Sequence, residues 1–178
     1  RIIMDRVIPF IHSSAESNKP FLAVIWFHAP HNPVVAGPKY RAMYSQYSAD
    51  EQHYYGCITA LDEQVGLLRS ELRDLGIADN TMLWFCSDNG PEGKDGKQGR
   101  NRGSAGPFRG RKRSLFEGGV RVPGLLEWPG HIQAGRLTHI PCSTSDYFPT
   151  VMDVLGFKIK GEPEPVDGVS LLPLIDNQ

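Results

Sequence analysis

"SADEQHYYGCITALDEQVGLLRSELRDLGIADNTMLWFCSDNG", residues 48–90, decides the fold. Ser48 followed three residues later by Glu51 is a capping-box pattern, in which each side chain satisfies the other's backbone amide at a helix start. Tyr54, Tyr55, Ile58, Leu61, Val65, Leu68, Leu72 and Leu75 then recur at spacings of three and four, the signature of one helical face. Gly76 supplies a residue that takes the left-handed conformation ending such a helix. The apolar run "TMLWFCS", 81–87, follows and reads as a buried strand. Upstream, "KPFLAVIWF", 19–27, has the same character and predicts a strand buried on both faces. Strand, long helix and strand in this order predict a βαβ crossover with parallel strands. The expected class is therefore α/β, a mostly parallel sheet flanked by helices.

The remaining segments fit around that unit. Residues 2–16 carry Ile3, Met4, Val7, Ile8 and Ile11 at helical spacing, although Pro9 falls among them. "GVRVPGLLEWP", 119–129, predicts a third strand that Pro123 pushes toward an edge or bulge. "STSDYFPTVMDVLG", 143–156, predicts a helix with a Ser or Asp cap and Gly156 as its stop. Residues 90–110 are rich in glycine and basic residues and predict a long surface loop. Residues 157–178 are punctuated by Pro and Gly around a short apolar "VSLLPLI".

Composition narrows the functional classes. The 178 residues are enough for one sizeable core, and 40% apolar with 22% charged content describes an ordinary globular chain. A net charge of −1 argues against a general nucleic-acid binder. No run approaches the ~18 apolar residues of a membrane span. Cys57, Cys86 and Cys142 form no CxxC pair, so neither a zinc site nor a disulfide framework is indicated. Cys57 and Cys86 read as buried structural thiols. The charge is nevertheless uneven. Residues 94–113 hold Lys94, Lys97, Arg100, Arg102, Arg109, Arg111, Lys112 and Arg113 against the single acid Asp95. A local basic segment of this kind suits a small anion.

Three stretches could carry chemistry. Asp88 and Asn89 end the second strand. They are either a turn-forming pair closing it or oxygen ligands for a hard cation, calcium or magnesium, at the strand end where α/β folds bind ligands. The rigid apolar strand before them and the basic loop after them favour the second reading. Two side chains cannot fill a calcium shell of roughly 6–8 oxygens, so further ligands must come from elsewhere. His28 and His31, in "FHAPHNP", follow the first strand. They are either loop residues or donors to an anionic ester. The run "FRGRKRSLFEGGVRVP" is either a solvated basic loop leading to a β-turn at Gly118-Gly119, or it aims one cation at a developing negative charge.

Taken in order, "FHAPHNP", "FCSDNGPEG", "RKRSLFEGGVRVPGLLEWPG" and "SDYFPTVMDVLG" resemble the type I sulfatase family, the arylsulfatase-like branch of the alkaline phosphatase superfamily, over residues 21–174. The "SDNG" and "EGGVRVP" blocks together carry the resemblance. It implies a partial alkaline-phosphatase-like sheet and a parent enzyme that hydrolyses sulfate esters. It implies that Asp88 and Asn89 ligate calcium, with magnesium the second choice. It implies that His31 contacts the ester and assists sulfate release, and that Lys112, five residues before Glu117, meets the sulfate and its bridging oxygen. Arg121 is expected to be structural. The implied substrate is a sulfate-ester small molecule or a sulfated glycan, with no nucleic-acid partner and no membrane span. The implied compartment is periplasmic, secreted or lysosomal.

The sequence also departs from that family. None of the three cysteines begins a C/S-x-P-x-R motif, in which the family converts Cys or Ser to formylglycine. The pair of N-terminal aspartates that completes the family's metal shell is missing too. The expectation is a partial catalytic domain, residues 1–178, with the nucleophile segment upstream and the smaller C-terminal subdomain absent, and inactive by itself. Three alternatives remain open at this level: a phosphodiesterase or phosphonate hydrolase of the same superfamily, a catalytically dead relative, and a non-catalytic module binding polyanions through residues 94–113.

Overall fold

A computed structural model of the chain describes residues 2–92, 100, 102–157 and 166–176. Lys94, Asp95 and Lys97 of the basic loop lie outside the described residues. The elements are α1 (Met4–Glu16), α2 (Pro38–Ala42), α3 (Ala49–Asp74), β1 (Leu83–Cys86), α4 (Glu117–Val120), β2 (Gly124–Glu127), α5 (Tyr147–Val154) and α6 (Leu172–Asp176). They fall into two compact units, residues 1–78 with 83–126, and residues 79–82 with 127–178.

In the first unit the long helix forms where the sequence places it. The Ser48 hydroxyl accepts the Glu51 amide, and the Glu51 carboxylate accepts the Ser48 amide at 3.1 Å. Gly76, at φ +68°, ends the helix in the left-handed region that a glycine enters without a Cβ penalty. The apolar stripe of α1 lies against α3, burying Met4, Ile11, Leu68 and Leu72 together. Pro9 sits inside α1. The cost of an interior proline, about 3 kcal/mol, is matched by two fully buried side chains worth about 1.5–3 kcal/mol each. A smaller core of Val34, Ala36 and Cys57 holds the segment after "FHAPHNP" to α3, and burial pushes the Cys57 thiol above its usual range. Gly56 permits that approach, because a Cβ there would lie 2.8 Å from Ala36 Cβ.

The segment 19–27 corrects the expectation of a strand buried on both faces. It runs in no ladder among the described residues. Phe21, Ile25 and Phe27 pack on the α1–α3 core, while Leu22, Val24 and Trp26 are 78%, 68% and 84% exposed. This is the two-residue alternation of a strand without its hydrogen-bonded neighbours. The described sheet is instead β1 with β2, so no crossover from 19–27 is formed within it. Two boundaries also move. Gly118-Gly119 is part of the helical turn α4, not a β-turn. The third strand begins only after Pro123, which has no amide to offer a ladder.

In the second unit Ser143 and Asp146 form a capping box ahead of α5, and Gly156 stops that helix at φ +66°. Asp146 Oδ1 accepts the Val169 amide at 2.9 Å, and the Thr150 hydroxyl accepts the Leu171 amide at 2.8 Å. These two bonds fasten residues 169–171 along α5. Arg136 donates to the Ile175 carbonyl at 2.9 Å, satisfying an acceptor at the C-terminal end of α6.

One buried group makes stability depend on pH. His53 of α3 is buried, and its Nδ1 accepts the Ala36 amide at 3.1 Å. Burial, then the charges of Arg100 and Arg41, hold its pKa below the usual histidine value, against a smaller upward pull from Asp50. An unfolded chain takes up this proton as pH falls through about 6.5. The folded chain resists until lower pH. Stability fully present above that pH is therefore lost progressively as pH falls toward the folded value. Melting of the full-length protein should follow this slope from pH 7.5 to 5, and His53→Gln, which keeps an acceptor but does not titrate, should flatten it. An equal slope in the variant would assign the pH dependence to other groups.

Candidate active site

The turn after β1 and the loop before β2 are built against each other. The Gly90 amide donates to the Gly119 carbonyl at 2.8 Å, and the Lys112 amide donates to the Pro91 carbonyl at 2.9 Å. The contact is too close for side chains. A Cβ on Gly90 would lie 1.9 Å from the Gly118 carbonyl oxygen, one on Gly118 2.3 Å from that of Gly110, and one on Gly119 2.0 Å from that of Ser114. Gly90 thus lets the two chemistry-bearing segments meet, and Gly118 and Gly119 let the second fold back on itself.

Within this assembly Asp88 is exposed and its carboxylate makes no hydrogen bond among the described residues. Asn89 donates from Nδ2 to the Gly90 carbonyl at 2.9 Å, which fixes the carboxamide and leaves Oδ1 as an available acceptor. A carboxylate and a carboxamide oxygen side by side are the donor chemistry of a hard cation, and the pair fits such an ion. No cluster of three or more His, Cys, Asp or Glu occurs among the described residues.

The four cations of the basic run separate into different roles. The Arg109 guanidinium lies over the Phe116 ring, 3.8 Å from its centroid. Arg111 Nη1 donates to the Glu92 carbonyl at 3.1 Å and approaches Glu92 Oε1 at 3.5 Å. Arg113 Nη1 meets the same Oε1 at 2.5 Å, and this contact is the first cause holding the Glu92 carboxyl below its usual range. Lys112 is half-buried, and its ammonium has no hydrogen bond or ring contact among the described residues. Charge alone does not distinguish these side chains, whereas their partners do. Arg121 pairs with Glu117 at 3.2 Å and lies over the Phe108 ring, 4.5 Å from its centroid. Arg100 is occupied too, donating to the Val34 carbonyl at 3.0 Å and meeting Asp50 at 3.4 Å.

His28 and His31 are both exposed and share one acceptor. His28 Nε2 and His31 Nδ1 each lie 2.9 Å from the Asn32 carbonyl oxygen. A carbonyl only accepts, so both nitrogens carry protons. His31 is then left with Nε2 for a ligand, and His28 with Nδ1. No direct contact joins either ring to Asp88, Asn89 or Lys112 among the described residues. Tyr54 packs on the Val34 core, as Ala29 does, and a Cβ on Gly103 would lie 2.7 Å from the Tyr54 hydroxyl and 2.6 Å from Pro91 Cβ. Sequence reasoning passed over Tyr54 and Glu92. The one signal for Glu92 was an acid standing between "SDNGP" and a run of cations.

The chain is similar to known proteins along most of its length. The sulfatase family model matches residues 1–157. The pig N-acetylgalactosamine-6-sulfatase is 34% identical over 97% of this chain and 32% of its own length. The rat steryl-sulfatase is 37% identical over 88% of this chain and 26% of its own length. The chain thus spans about a third of the curated relatives it matches. Among solved structures, Ps i-CgsB in complex with k-i-k-neocarrahexaose superposes with a TM-score of 0.87 at 32% identity, covering 97% of this chain and 37% of the other. The PsFucS1 sulfatase from Pseudoalteromonas sp. gives 0.80 at 30% identity, covering 93% and 32%. The α/β class is that of these neighbours.

Proposed function

The chain belongs to the sulfatase family, and from that premise we propose that the whole protein is a sulfuric ester hydrolase acting on a sulfated glycan. The carrying observation is Lys112, the member of the 109–113 run whose side chain makes no hydrogen bond or ring contact among the described residues, tied by its own amide to the turn that bears Asp88 and Asn89. The glycan reading rests on the relative named for N-acetylgalactosamine-6-sulfate chemistry and on the neighbour crystallised with a neocarrahexaose. Such substrates suit a secreted, periplasmic or lysosomal protein, and no helix among the described residues is long and apolar enough to cross a membrane.

In this reading the Lys112 ammonium faces the bridging oxygen, where negative charge grows as the ester bond breaks. His31, held by Asn32 through Nδ1–H, presents Nε2 to the same oxygen and, in its imidazolium form, gives the Nε2 proton to the departing alcohol. Asp88 and Asn89 would hold calcium, which supplies positive charge to polarise sulfate oxygens. A formylglycine outside residues 1–178 would supply the nucleophile.

The metal assignment has its own test. Asp88→Ala in the full-length protein is expected to abolish sulfate release and weaken calcium binding by calorimetry. Asn89→Ala should do so less severely, since it removes a neutral ligand. Wild-type calcium binding in both variants would return "SDNG" to the role of a turn. Release of sulfate from a sulfated oligosaccharide by the full-length protein, abolished by Lys112→Ala, tests the activity itself.

A further inference from the structure

We propose that Glu92 is a positioning residue for Lys112, holding the guanidinium groups on both sides of that lysine away from the anionic ester. This inference rests on the sulfate-contact reading of Lys112 given above. Glu92 follows the metal-ligand turn directly and takes both neighbours of Lys112. Arg111 bonds its carbonyl at 3.1 Å, and Arg113 bonds its Oε1 at 2.5 Å. Lys112, between them, donates its amide to Pro91, the residue before Glu92, at 2.9 Å. Consecutive residues 111–113 are therefore anchored to consecutive residues 91–92 by three separate groups.

The backbone indicates that this anchoring has a cost to offset. Arg113 adopts φ +74°, the left-handed region that a residue with a Cβ enters at a cost of roughly 1–2 kcal/mol. The turn closes through the Ser114 amide on the Arg111 carbonyl at 2.9 Å, and the Glu92 bond is what engages the Arg113 side chain. The Arg113 guanidinium, first among the causes, holds the Glu92 carboxyl below its usual range and so favours the ionised form that pairs with it. The chemical consequence concerns competition. Three adjacent cations all attract a sulfate ester, but only one can meet its bridging oxygen. With Glu92 ionised, two of them are hydrogen-bonded to it, while Lys112 feels its charge without a hydrogen bond and keeps its ammonium donors for substrate.

The predicted signature is a split between binding and turnover. Glu92→Gln keeps the shape and the backbone carbonyl but removes the charge. In the full-length enzyme its kcat should fall at least about tenfold, as expected when a charged group is misplaced by a fraction of an ångström. KM should stay level or drop, because the Arg113 guanidinium, no longer held by a carboxylate, binds the anion unproductively, while Arg111 stays on the Glu92 carbonyl. Glu92→Asp should recover part of kcat. Since the pairs are exposed, the melting temperature should change little. In a Lys112→Ala background, Glu92→Gln should cost no more than about twofold further, because it acts through the lysine. If Lys112→Ala is crippled while Glu92→Gln turns over within about twofold of wild type, the positioning role fails and the sulfate contact stands. A full tenfold loss persisting in the Lys112→Ala background also overturns it. If Lys112→Ala itself turns over normally, the sulfate-contact reading falls first and this inference with it.

Discussion

Gly119→Ala is expected to cost the full-length protein more than about 3 kcal/mol of stability, a large share of the roughly 5–15 kcal/mol that holds a domain folded. An added Cβ would sit 2.0 Å from the Ser114 carbonyl oxygen and 2.6 Å from that of Arg111. Both are backbone atoms of the turn that carries Lys112, so no rotamer change relieves the clash. Gly118→Ala meets the Gly110 and Arg109 carbonyls at 2.3 and 2.7 Å and should behave alike. Gly66→Ala, in α3 with nothing within 4 Å of the new Cβ, is the control. It should be neutral or stabilise by up to about 1 kcal/mol, because glycine is a poor helix former. Thermal unfolding of the three variants decides the point. Similar melting temperatures for Gly119→Ala and Gly66→Ala would mean that the 109–119 loop does not fold back on itself as described.

Lys112→Ala should lower turnover by roughly 10²–10³, about 3–4 kcal/mol of transition-state stabilisation. It should do so without unfolding the protein, since the ammonium has no hydrogen bond to lose among the described residues. Removing any one of Arg109, Arg111 or Arg113 should cost much less at saturating substrate. Their charges are already engaged, by the Phe116 ring or by Glu92, and an exposed pair is worth under ~1 kcal/mol. His31→Ala should match Lys112→Ala more closely than His28→Ala does. The two rings share the Asn32 carbonyl, so the comparison isolates what His31 offers at Nε2. Equal small losses across all four cations, or a larger loss at His28, would reassign the sulfate contacts.

How far the sequence reveals these features follows from the range of each interaction. The α3 capping box, its Gly76 stop and the Ser143–Asp146 cap on α5 are local, and three or four residues suffice to specify them. The segment 19–27 is different. An apolar run says that a strand could form, but pairing depends on neighbours far along the chain, and exposed Leu22, Val24 and Trp26 show that these are not among the described residues. Gly118-Gly119 misled for a related reason. Glycine pairs are read as turns, whereas here they are required by carbonyls that sequence does not place beside them. The site divides the same way. Motif order singles out Asp88, Asn89, His31 and Lys112 as candidates, but not Glu92, whose contacts arise only when residues 91–92 and 111–113 meet in space.

The central claim is that the full-length protein breaks sulfate esters through a site containing Lys112. Paired initial rates on 4-nitrophenyl sulfate and bis(4-nitrophenyl) phosphate, for the wild type and for Lys112→Ala, test it most directly. The predicted result is sulfate-ester hydrolysis well above any phosphodiester activity, falling about 10²–10³-fold in the variant. Phosphodiester hydrolysis exceeding sulfate release, or sulfate release unchanged by Lys112→Ala, would contradict the assignment.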